Sequence, residues 1–204
     1  MQKGGLMQLR TKKSIREQQK TTTHTNNSIT NSTAVKKISL LGVMLAFTLV
    51  TSFIERMIPL DGIVPGMRLG LANLAIVISL YTLPTRDTFI LMVLKCLMTA
   101  IFSGSIIALL YSLTGSMLSL IIMLLLIKLK IKAISIIGVS VAGAAFHNLG
   151  QIMVARFIFG TWAIMLYLPL LLIIGTVSGM AIGYLAKTSE PRISIYYKKL
   201  NSLD

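Results

Sequence analysis

Acidic residues are scarce in this chain. Six occur among 204 residues, Glu17, Glu55, Asp61, Asp87, Glu190 and Asp204, and they stand apart from one another. No paired carboxylates, no HExxH and no aspartate-rich DDxxD run exists to hold magnesium and a diphosphate, and there is no Walker loop to cradle a nucleotide. Cysteine is almost absent too. The single Cys96 lies inside an apolar run, which excludes a disulfide framework or a cysteine metal site within one chain and makes it a small membrane-buried side chain. Charged residues of both signs make up only 13% of the sequence, well below an ordinary soluble domain. These absences argue against an enzyme and against a bound metal or cofactor.

What fills the chain instead is apolar. Hydrophobic residues make up 54% of it and the mean hydropathy is +0.80, so the bilayer is its solvent. The formal net charge is +14, but the basic residues gather at the two ends and in short hydrophilic gaps. No basic stripe carries interleaved aromatics, which sets nucleic acid aside as a partner.

Residues 1–35 combine a basic stretch with a run of Thr, Asn, Ser and His from Thr21 to Thr33. That composition is too poor in apolar residues to fold alone and predicts a disordered cytoplasmic tail. It is no secretory signal, because the first apolar run begins near Ile38. Since a span needs about 20 apolar residues, the charges, prolines and glycines divide residues 36–187 into six segments: 38–54, 65–83, 88–103, 105–127, 133–160 and 163–186. Pro65 and Gly66 open the second, Pro84 stops it, Asp87 is placed to cap the third, and Ser103-Gly104-Ser105 separates the third from the fourth. Residues 188–204 then form a short basic tail. With the N-terminus inside, sixteen of the twenty Lys and Arg fall on the cytoplasmic side, and the exceptions are Arg56, Arg68, Lys95 and Arg156. That bias predicts a multi-pass protein of the inner (cytoplasmic) membrane with both termini in the cytoplasm.

Several polar residues stand out against this background. The first outer loop, ERMIPLDGIVPGMR from Glu55 to Arg68, is punctuated by Pro59, Pro65 and two glycines. It reads either as a structured recognition loop, a lid carrying Glu55, Asp61 and Pro65, or as a plain solvated connector. Arg68 and Asn73 follow in the outer half of the second helix. The fifth span holds the densest polar cluster, His147, Asn148, Gly150 and Gln151, with Arg156 beyond it. Counting about 1.5 Å per residue from Ala133 puts His147 about 21 Å deep. His147 and Gln151 share a helix face, while Arg156 emerges nearly opposite and is free to snorkel. Lys95 sits mid-span in the third segment. Polar groups at such depth face a cavity and bind something, or they hydrogen-bond neighbouring helices as packing glue. If Arg68, Lys95 and His147 line one cavity, its ligand is anionic or strongly polar. Two small-residue patterns, Gly42-x-x-x-Ala46 and Gly175-x-x-x-Gly179-x-x-x-Gly183, allow close helix contact, and for the sixth helix internal packing is the simpler use.

At PGMRLGLANL (Pro65 to Leu74) and FHNLGQ (Phe146 to Gln151), within six segments of this spacing, the chain resembles the Gx transporter family, also labelled heptaprenyl diphosphate synthase component I. That family is similar to the S components of energy-coupling-factor transporters. The resemblance covers residues 36 to 187 and implies an S-component-like bundle that takes up a small-molecule solute from the outer face. In that setting Arg68, Asn73, Lys95, His147, Asn148 and Gln151 bind the solute. Gly42 and Ala46, with glycine in place of the more usual first alanine, match the motif that docks a coupling subunit, which works with two ATPases. The alternative is a membrane accessory subunit that supports a separate prenyl synthase catalytic subunit, with the basic cytoplasmic loops as the contact surface.

Overall fold

A computed structural model describes residues 35, 37–55, 57, 70–129 and 134–201. Two compact units divide the chain: Leu41–Tyr197, and Met1–Leu40 with Lys198–Asp204. The site below lies entirely in the first. The expected cytoplasmic tail of residues 1–35, apart from Val35, and most of the Glu55-to-Arg68 loop with Asp61, Pro65 and Arg68, lie outside the described residues.

Among the described residues there is no strand. Six helices follow in order: α1 (Lys37–Glu55), α2 (Leu74–Thr82), α3 (Thr85–Ser103), α4 (Ile106–Lys128), α5 (Ile136–Phe159) and α6 (Leu168–Asn201). Tight 3-10 turns, Leu71–Asn73 and Trp162–Tyr167, lead into α2 and α6. The fold is all-α, as a chain surrounded by lipid requires, because a helix satisfies its own backbone groups where no water can. Among the described residues four stretches are long and apolar enough to cross a membrane: α1, α4, α5 and the segment Trp162–Ile195. The other two helices depart from that type. α2 has only nine residues, about 14 Å of helix, so within the described part of the expected span 65–83, residues 70–83, regular α-helix covers only Leu74–Thr82. α3 has nineteen residues, and Arg86, Asp87 and Lys95 weaken its apolar character.

The helix ends follow the local chemistry. Gly104 takes a left-handed φ of 61° and ends α3, which lets the chain reverse at once into α4. The Ser105 hydroxyl then accepts from the Ala108 N–H at 3.4 Å, and Ser135 does the same for Gly138 at 3.3 Å at the start of α5. Asp87 does not cap α3. Pro84 occupies the N-cap without a side-chain bond, and Asp87 is buried in the first turn, where a negative charge favours the helix dipole. The last helix is longer than its expected apolar span: α6 runs through Pro191 to Asn201, past residue 186. Loss of apolar character marks where a bilayer ends, and a helix is free to continue past that point. Its 34 residues make about 51 Å, against about 30 Å of hydrocarbon.

Close packing centres on α5. A methyl group on Gly150 would lie 2.9 Å from the Gly115 Cα of α4, so those two backbones meet with no room for a side chain. On the other side of α5, methyls on Gly179 and Gly183 would come within 2.8 Å of Val141 and 2.6 Å of Ile137. The three-glycine pattern of α6 is therefore the seam against α5, as the sequence suggested.

Candidate functional site

At the heart of the bundle, polar side chains from five segments meet. Lys95 is buried halfway along α3, only 3% exposed. Its ammonium donates to Asn73 Oδ1 at 2.6 Å and to Ser116 Oγ of α4 at 3.1 Å. A charge at that depth is tolerable only with such partners. Asn73 is presented by the 3-10 turn ahead of α2, which starts at Gly70 with a φ of 82°. That left-handed residue turns its N–H onto the carboxylate of Glu55, which ends α1 and is itself buried. One glycine thus ties the end of α1 to the start of α2.

The other half of the cluster comes from α5. His147 and Gln151 are one turn apart and buried, with Gln151 Nε2 3.2 Å from His147 Nε2. An amide N–H donating there fits an imidazole that carries its proton on Nδ1. The imidazole lies against Gly115, where a methyl would come within 2.9 Å of the ring. Glu55, Gly70, Lys95, His147 and Gln151 line one small cavity together with Ser52 and Ser112, and it leaves about 10 Å³ for a water centre. That is room for about one water. A second space of the same size lies behind Gly70 and Asn73, between Ser119 and Ser140.

Of the residues singled out in the sequence, Glu55, Asn73, Lys95, His147 and Gln151 thus come together. Asn148 does not join them. It faces α6, where its amide donates to the Leu171 carbonyl at 2.7 Å, so it fastens two helices. Arg156 is also apart, stacked over the Trp162 ring at 4.1 Å from its centroid, a cation–π contact at the far end of α5. Gly42 and Ala46 lie on an exposed face of α1, and nothing lies within 4 Å of a methyl placed on Gly42. Cys96 is fully buried and accepts from the Ser112 hydroxyl at 3.3 Å.

Sequence reading passed over the α4 contribution. Ser112, Gly115, Ser116 and Ser119 recur at spacings of three and four, and all are buried, so they form a small and polar stripe on one face. The stripe was visible in LYSLTGSMLSL, but serine is common in membrane helices and gave no signal until a lysine was found pointing at it. Ser52 of α1, buried with a hydroxyl that has no hydrogen-bond partner among the described residues, was likewise missed.

Residues 44–189, more than two thirds of the chain, match the profile of the family described as Heptaprenyl diphosphate synthase component I. The match runs from within α1 to within α6 and so takes in every residue of the cluster. No curated protein and no solved structure matches the chain.

Proposed function

Because the chain belongs to the heptaprenyl diphosphate synthase component I family, we propose that it is the membrane-embedded, non-catalytic component of such a synthase, supporting a separate catalytic subunit. The family match carries this reading. Physical chemistry supports it as well. Each buried CH₂ of a prenyl chain favours the bilayer by about 0.8 kcal/mol, so a synthase that builds long chains gains from a component fixed in the membrane. The surface offered to the catalytic subunit is the basic cytoplasmic one, Lys128 with Lys130 and Lys132. The test is affinity purification of the tagged full-length chain from gentle detergent. A prenyl synthase catalytic subunit is expected to co-purify, and replacing the three lysines by glutamine is expected to release it while His147→Ala does not. A chain that brings down no such subunit, and whose deletion leaves prenyl product yield unchanged, sinks the proposal.

A second reading is favoured by one observation, the convergence of Lys95, His147 and Gln151 on a common cavity, with Asn73 held to Lys95 beside it. Under it the chain is an S-component-like subunit that binds a small polar solute. The cavity is far below the several hundred Å³ of a typical ligand site, so α1 and the turn before α2 must part for a solute to enter. A water-soluble ligand that raises the thermal midpoint of the wild type and not of His147→Ala supports this reading; a broad panel of solutes without effect removes it.

A further inference from the structure

A larger cavity, about 410 Å³, lies between α1 and α3. Among the described residues its lining is Leu49, Val50, Ser52 and Phe53 of α1 with Thr99 and Phe102 of α3. Three features define what fits it. Val50, Phe53 and Phe102 are each more than half exposed, and on a membrane helix such exposure faces lipid, so the cavity is entered sideways from the bilayer. Among the described residues its wall carries no charged group. Ser52 on its wall also lines the small polar cavity with Glu55, Lys95 and His147, so the two spaces adjoin there. Ser52 is 4% exposed and its hydroxyl has no hydrogen-bond partner among the described residues, a cost that a ligand oxygen at that position would remove.

We infer that this cavity binds a membrane-dissolved prenyl lipid whose head is uncharged and forms hydrogen bonds, an alcohol or a ring carbonyl. The chain lies between Val50, Phe53 and Phe102, and the head oxygen meets the Ser52 hydroxyl. A diphosphate head is disfavoured by the same geometry. The polar space beyond Ser52 has room for about one water, and the Lys95 ammonium behind it is already held by Asn73 and Ser116. The volume lies within the range of small-molecule sites. The prenyl character of the chain rests on the component reading above, whereas the uncharged head and the lateral entry rest on the cavity itself.

Thermal unfolding of the purified full-length protein tests this, with geranylgeraniol, geranylgeranyl diphosphate and hexadecanol as probes. Geranylgeraniol at about ten times its Kd is expected to raise the midpoint by about 3–6 °C, with the other two binding at least about tenfold more weakly. Val50→Trp fills the cavity and is expected to abolish the response. Ser52→Val is expected to weaken geranylgeraniol about fivefold, the worth of one hydrogen bond, and Ser52→Thr to retain it; this near-isosteric pair decides the matter if Val50→Trp does not fold. The inference is overturned by no shift with any probe, by an equal response to hexadecanol, by a preference for the diphosphate, or by affinity indifferent to Ser52→Val. Failure here while the catalytic subunit still co-purifies removes the lipid site and leaves the component reading intact. Lipid binding without co-purification does the reverse.

Discussion

Lys95 has its ammonium between Asn73 Oδ1 and Ser116 Oγ, so three helical segments depend on one side chain. Replacing it by methionine keeps the bulk and deletes both hydrogen bonds, which strands two buried acceptors. The expected loss is about 1–3 kcal/mol for each group left unsatisfied, read as a lower midpoint of unfolding in detergent; a variant as stable as the wild type would show that the cluster does not hold the bundle together. The sequence announced this residue, and His147 and Gln151 with it, because a charge or an amide in an apolar run is conspicuous. It did not announce their partners. Asn148 shows the limit: adjacent to His147, it points to a different helix, and only the rotation of α5 separates the two roles.

Small-residue seams act at the scale of whole elements, and two of them look alike in sequence and differ in the structure. Gly179 meets the α5 backbone with no space for a methyl, while Gly42 faces open surroundings on α1. Gly179→Leu is therefore expected to cost about 1–3 kcal/mol or more through overpacking, and Gly42→Leu to leave the midpoint within about 0.5 kcal/mol, with any effect confined to recovery of a partner. Equal destabilisation by both, measured side by side in one detergent, contradicts the packing described. Helix positions were largely legible because apolar run length and Gly/Pro punctuation encode them: α1 and the α3–α4 break at Gly104 fall within a residue or two of the sequence boundaries. α2 and the end of α6 were not legible. A span estimated from hydropathy cannot distinguish a helix from the 3-10 turn that leads into α2, nor register a helix that outlasts its apolar stretch.

For the molecule as a whole, the charge distribution predicts one orientation. In a Cys96→Ser background, Lys128→Cys is expected to react with a membrane-impermeant maleimide in inside-out vesicles and to resist it in right-side-out ones; the opposite pattern inverts the topology. The order of synthesis adds a constraint of its own. α3 leaves the ribosome with Lys95 at its centre, a residue that costs about 2.5–3.5 kcal/mol at mid-helix on the insertion scale of the translocon. Its partner Ser116 and the strongly apolar α4 have not yet emerged. α3 is thus a poor recruit to the bilayer by itself and a good one as the first arm of a hairpin bent at Gly104. Chains truncated after Ser103 and released are expected to leave α3 outside the membrane and open to added protease, and those truncated beyond Leu129 to protect it. The lysine that organises the finished bundle would then also set the moment in biogenesis at which two helices must enter the membrane together.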